Sequence, residues 1–147
     1  MTFPTEGPGR VRRRQVRKAA ATLPATTTQD LFTVSGRIRA INLVGLVTTV
    51  VQTQANNTKL IFHPTTGSDV DLCAVLNITA FAVNTVLAIT GTVADAMVSG
   101  LAVKGQVTPL ELGPGIIRLS CAATNTGATS WTLDYESVDG TGSAVSA

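Results

Sequence analysis

The chain has 147 residues, of which 44% are apolar, and it carries a formal charge of +2. This length fits one domain, whose core can bury roughly two-thirds of the unfolded surface without disulfides or a structural metal. The uncharged run at residues 72–94 holds too many Asn and Thr side chains for a membrane helix, and the start has no apolar stretch typical of a secretory signal.

Positive charge is concentrated in residues 1–29, which carry six basic side chains against one acidic side chain, a net charge of +5. Residues 30–147 carry five basic against eight acidic side chains, a net charge of −3. Because residues 1–29 contain three prolines and few large apolar side chains, we predict an extended arm that does not fold by itself. Good helix formers would allow a short helix over residues 10–21, which like-charge repulsion opposes. The basic residues of the arm are Arg10, Arg12, Arg13, Arg14, Arg17 and Lys18.

Residues 30–140 are predicted to form the body of the fold. Their β-branched composition and recurrent turn signals favour short strands. Six or more such strands with irregular connections predict an all-β domain, an antiparallel β-sandwich or a β-barrel-like fold. The strands expected in chain order are LFTVSG, INLVGLVTTVVQTQ, KLIFH, VDLCAVLNITA, NTVLAITGTV, IIRLSCAAT and SWTLDYESV.

The last of these runs has the clearest pattern. Trp131, Leu133 and Tyr135 alternate with polar residues, which is typical of a half-buried strand. The segment NTGAT before it predicts a hairpin to the preceding strand, with Gly127 at a positive φ. Residues 141–147 are small or polar and predict a flexible tail.

Groups that could carry catalysis are few. His63 precedes Pro64 at the end of KLIFH, which predicts a surface turn rather than a catalytic or metal role. Asp69 and Asp71 share one face of a strand, but nothing in the pattern sets their pKa values apart, as acid-base work requires. We therefore predict that the chain is not an enzyme and has no catalytic residues, metal site or cofactor.

The two cysteines, Cys73 and Cys121, lie in apolar strand-like runs and lack metal-ligand spacing. Such positions predict buried free thiols. A single disulfide stays open at this point, because the two strands could face each other.

Two kinds of partner fit a basic arm. Arginines can neutralise phosphates, as in a coat protein that packages nucleic acid. They can also bind carboxylates on an acidic protein surface, where an extended backbone can add to a sheet edge. Arg37 and Arg39 would extend the surface that contacts acidic protein.

The body also favours self-association. Long uncharged strands such as VGLVTTVVQTQ tend to pair edge to edge unless they are covered, and a closed homo-oligomer, a trimer above all, would cover them.

Three runs, DLFTVSGRIRAINLVGLVTTVVQTQANNTKLIFHPTTGSDVDLCAVLNI, VLAITGTVADAMV and GIIRLSCAATNTGATSWTLDYESVD, resemble small β-rich head-decoration or minor structural proteins of tailed bacteriophages. The resemblance implies a virion protein without enzymatic activity that sits on a capsid or tail as a repeated β-rich unit. We expect it to be made in the host cytoplasm and to lie on the head surface, with the major capsid protein as its partner. On this basis we expect a decoration or cement protein whose arm bridges capsid subunits. A small coat protein with a genome-binding arm and a tail or head-fibre protein are the alternatives, and no membrane partner is expected.

Overall fold

A computed structural model describes residues 12–147, and twelve strands and no helix occur in this range. A helix long and apolar enough to cross a membrane is therefore also absent from residues 12–147. The strands are β1 (Arg13–Thr22), β2 (Thr28–Ser35), β3 (Ile38–Thr49), β4 (Asn57–Pro64), β5 (Val70–Asp71), β6 (Leu76–Asn77), β7 (Val86–Ala88), β8 (Val98–Gly100), β9 (Leu110–Leu112), β10 (Gly115–Cys121), β11 (Ala128–Ser137) and β12 (Ser143–Ser146).

The strands form two six-stranded sheets. Sheet A has the order β1-β11-β3-β7-β8, with β9 also paired to β3, and sheet B has the order β12-β2-β10-β4-β5, with β6 also paired to β4. All of these ladders are antiparallel. The predicted antiparallel β-sandwich is confirmed.

The core lies between the two sheets. Trp131, Leu133 and Tyr135 of β11 are all buried in it, as their alternation predicts. Trp131 is 1% exposed and lies across β3, where a Cβ added to Gly45 would come within 2.7 Å of the indole. Glycine at this position therefore makes room for the largest side chain of the core.

The predicted hairpin between β10 and β11 is wrong. β10 pairs with β2 and β4 in sheet B, whereas β11 pairs with β1 and β3 in sheet A, so the intervening segment crosses between the sheets. Gly127 does not have the positive φ that the hairpin required. It is needed for space, because an added Cβ would lie 2.8 Å from the Val51 side chain.

Two buried asparagines accept the hydrogen bonds that hold this crossover, whereas a hairpin would be held by bonds between its own two strands. The Asn56 side-chain oxygen accepts hydrogen bonds from the backbone N–H groups of Ala122 and Ala123, at 3.1 and 3.2 Å. The Asn125 oxygen accepts from the N–H groups of Gln52 and Gly127, both at 3.1 Å. The crossover is thus anchored to the β3–β4 connection at both of its ends.

The segments predicted as arm and tail also contribute strands. Arg13–Thr22 forms β1 against β11, so the chain is extended there and the helix considered for residues 10–21 is not formed over its described part. Ser143–Ser146 forms β12 against β2, because the Asp139–Gly142 turn carries the chain back to sheet B. The division into an arm (1–29), a domain (30–140) and a tail (141–147) stays a prediction, since strand pairing does not say which segments fold independently.

A basic edge strand as candidate binding surface

β1 is an outer strand of sheet A and brings most of the predicted basic residues to one place. Its register with β11 sets Arg13 opposite Glu136, Gln15 opposite Asp134 and Arg17 opposite Thr132. Residues that are directly opposite share a face of the sheet, and the β11 residues between these three are buried. Arg13, Gln15 and Arg17 therefore point away from the core.

The alternate residues of β1 lie on the core side of the same edge. Val16 is opposite Leu133 and packs against the core, while Arg14 and Lys18 flank it opposite Tyr135 and Trp131. The Lys18 ammonium donates a hydrogen bond to the backbone oxygen of Ala147, just beyond β12. This contact joins the edge of sheet A to the edge of sheet B.

A row of alternating charges crosses the outward face of sheet A. Arg13 of β1, Glu136 of β11, Arg39 of β3 and Glu111 of β9 follow one another in register. The Arg39 Nε lies 2.6 Å from Glu111 Oε1, and Arg39 Nη1 lies 3.9 Å from Glu136 Oε2. The hydrogen bond to Glu111, and then the charge of that carboxylate, raise the pKa of Arg39 above its ordinary value. Arg39 is thus held by carboxylates of its own sheet.

The other predicted partner-binding residues differ in their surroundings. Arg13, Arg14 and Arg17 are exposed, and none of the ion pairs formed within residues 12–147 involves them. Arg37 is exposed in the bend between β2 and β3. Its carbonyl accepts a hydrogen bond from the Val138 N–H at 3.1 Å. This bond places Arg37 near the end of β11 that faces Arg13. Arg12 is exposed with a contact of its own, and Arg10 lies outside the described residues.

Sequence reasoning missed the acidic side of this surface. Asp134 accepts a hydrogen bond from the Gln15 side chain at 2.8 Å, and Glu136 lies between Arg13 and Arg39. A signal was present, because Asp134 and Glu136 alternate with the buried residues of β11 and so had to face outward. The pattern does not say which strand they face.

The residues weighed for catalysis lie at or next to the β4–β5 connection, and each lies close to another ionisable side chain. His63 Nδ1 lies 2.5 Å from Asp69 Oδ1, and Lys59 Nζ lies 2.9 Å from Asp71 Oδ1. Each carboxylate contacts a different side chain, so the two aspartates do not form a dyad. Within residues 12–147 there is no group of three His, Cys, Asp or Glu side chains that could hold a metal ion.

Both cysteines are buried and free, which confirms that prediction and closes the alternative of a disulfide between them. Burial raises the pKa of both thiols above the ordinary value. The Leu60 N–H lies 3.3 Å from the Cys73 sulfur, and the Thr58 hydroxyl lies 3.6 Å from the Cys121 sulfur. Neither thiol is a reactive group of the surface.

Comparison with known proteins gives no family. No family model matches the chain, and no curated protein matches it. A solved structure titled "Cyanophage Pam1 capsid asymmetric unit" is similar over 92% of this chain and 91% of that chain, with 12% identity and a TM-score of 0.36. A likeness of this size does not assign a function to the chain.

Proposed function

We propose that the chain is a structural protein of a tailed bacteriophage virion, a decoration or cement protein that binds and bridges major capsid subunits on the head. The observation that carries this proposal is the outer strand β1, which presents Arg13, Arg14 and Arg17 without an ion pair inside the described part of the chain. The partner-binding surface then consists of the arm residues from Arg10 to Lys18 together with Arg37 and Arg39.

The geometry suits a protein partner with exposed carboxylates. A guanidinium group matches a carboxylate with two parallel hydrogen bonds, and Arg13 and Arg17 present theirs on one face of the sheet. Arg39 would contribute by orienting Glu111 and Glu136 rather than by binding directly, because both carboxylates hold its guanidinium. Many copies on one particle make weak individual contacts sufficient.

Self-association is part of the proposal, with a trimer as the favoured form. Leu101 and Val107 are 79% and 78% exposed, and both follow the opposite outer strand of sheet A, β8. Contact between copies would remove these side chains from water, which stabilises association.

A charge-reversal experiment tests the surface. Heads of the phage that encodes the chain, stripped of DNA, are mixed with wild type, Arg17→Glu or Lys104→Glu; Lys104 is an exposed lysine of the β8–β9 connection and gives the same change in charge. We expect Arg17→Glu to weaken head binding about tenfold, as loss of a charged hydrogen bond would. Lys104→Glu should leave head binding unchanged, and equal losses for both variants would contradict the proposal.

A salt titration distinguishes the proposed binding to capsid from the nucleic-acid alternative. Binding to nonspecific DNA weakens steeply with salt, because each neutralised phosphate releases counterions. Wild type that binds DNA better than stripped heads, with a steep salt slope, would favour a coat protein with a genome-binding arm.

The location on the particle is tested by imaging. A decoration protein is expected at one copy per capsid subunit or as three copies at each threefold position. A few copies at a single vertex or along the tail would favour the tail or fibre alternative instead.

A further inference from the structure

β1 is divided into two parts by a break in its ladder. Residues 13–18 pair with residues 131–136, Ala21 and Thr22 pair with the start of β11, and the register shifts between Lys18 and Ala21. Ala19 and Ala20 are left outside the ladder and are exposed. Behind them Leu23 is buried, and its N–H donates to the Gly127 carbonyl at 2.9 Å. The chain is therefore anchored at Leu23 and has a short exposed joint just before the anchor.

The outer part of β1, residues 13–18, is held mainly by polar contacts. Only Val16 in this segment packs against the core, and it is half-buried. The remaining contacts are the backbone ladder, the Gln15–Asp134 hydrogen bond of 2.8 Å and the Lys18 contact to Ala147. Water can replace each of these polar contacts when the segment lifts from β11, and Val16 is the one side chain of the segment that leaves the hydrophobic core.

The edge of β11 that would be uncovered is selective for what can replace the segment. In the folded chain a cation, Arg13, lies opposite Glu136, the Gln15 side chain donates to Asp134, and Val16 lies opposite Leu133. Residues 13–18 of a second copy match all three positions by identity, with the same register and the same Gln15–Asp134 hydrogen bond.

We propose that residues 13–18 of one copy exchange onto residues 131–136 of a second copy, with Ala19 and Ala20 as the hinge. Every contact that is lost within one chain is regained between two chains, so exchange depends on the local concentration of copies and on the hinge conformation. Arg13 and Arg17 face outward in either arrangement. This inference deepens the self-association in the proposed function by naming the segment that links the copies, and it rests on the β1–β11 ladder and needs no capsid.

Cysteine pairs across the ladder test the exchange. Purified Arg13→Cys protein and purified Glu136→Cys protein are mixed at high concentration, incubated and oxidised, and the products are separated by size under denaturing, non-reducing conditions. Directly opposite residues of an antiparallel pair lie within reach of a disulfide. We expect an interchain disulfide that joins the two different variants, located by mass spectrometry of the linked peptides.

An out-of-register mixture is the matched control. Arg13→Cys mixed with Thr132→Cys should lose the interchain product, because Thr132 is opposite Arg17, whereas Arg17→Cys mixed with Thr132→Cys should form it. The double variant Arg13→Cys/Glu136→Cys checks the register within one chain at low concentration. Intrachain bonds in the double variant without interchain bonds in the mixtures would overturn the proposal. Equal product in the matched and out-of-register mixtures, which indicates random collision, or no bond in any sample, would also overturn it.

Discussion

Gly45 is a residue at which a core side chain packs directly against the backbone. An added Cβ would lie 2.7 Å from the Trp131 ring, and Trp131 is fully enclosed, so the ring cannot move without displacing other core side chains. We expect Gly45→Ala to destabilise the fold by about 1–3 kcal/mol, as overpacking does. Chemical denaturation measures this loss. Gly113→Ala is the control, because a Cβ there meets nothing within 4 Å; equal losses for both variants would contradict the packing argument.

Asp139 is the residue whose acidity is most clearly tied to a local structure. The hydroxyl and N–H of Thr141 donate to its carboxylate at 2.7 and 2.9 Å, and they lower its pKa below the ordinary value of 3.8. At pH values above 3.8 this turn therefore stabilises the folded state. The stabilisation is lost as the pH falls through the lower pKa that Asp139 has in the folded chain. We expect Thr141→Ala to raise the pKa of Asp139 toward 3.8, as measured by NMR titration. Thr124→Ala, in a different loop, should leave this pKa unchanged, and an unmoved pKa in Thr141→Ala would contradict the assignment.

At the scale of elements, the crossover between β10 and β11 depends on Asn56. Its side chain is fully buried and accepts from the N–H groups of Ala122 and Ala123. Asn56→Ala is expected to cost about 1–3 kcal/mol, because a backbone donor then lacks its partner. Unfolding midpoints would measure the loss, and hydrogen exchange at Ala123 should speed up. The neighbouring Asn57→Ala provides the control, since Asn57 is exposed and contributes through its backbone; a similar cost for Asn57→Ala would refute the role of the Asn56 side chain.

The same elements show what a sequence pattern can and cannot predict. Alternation located β11 and its buried face, because a period of two is a property of one strand alone. It did not reveal that β10 and β11 belong to different sheets, since a short turn-rich segment can close a hairpin or cross a sandwich. The difference lies in Asn56, which is distant in sequence and holds the crossover through its side chain. Likewise, the sequence shows the basic cluster, but it does not show that β1 lies opposite Asp134 and Glu136, because this strand pairing joins the two ends of the chain.

At the scale of the whole molecule, the fold brings part of the basic segment next to acidic side chains of the body. The net charge of +5 in residues 1–29 and −3 in the remainder suggests a separate anionic partner for the arm. In the folded chain, β1 lies instead beside the acidic face of β11, and Arg39 is shared between Glu111 and Glu136. The body thus sets the position of the basic strand, while Arg13, Arg14 and Arg17 keep exposed charge for a second molecule.

Deletion of residues 1–18 tests whether the body folds without the arm. Within residues 12–147 the buried residues of the hydrophobic core begin at Leu23, so the truncated chain is expected to stay folded and to unfold cooperatively in far-UV circular dichroism. Its new edge, β11, would pair with other copies as uncovered strands do. Asp134 and Glu136 repel each other between copies at low salt, so light scattering should show association that grows as salt screens them. Full-length chain under the same conditions is the control. An unfolded truncated chain would show that β1 belongs to the folding unit, and a salt-independent monomer would show that β1 does not protect the edge.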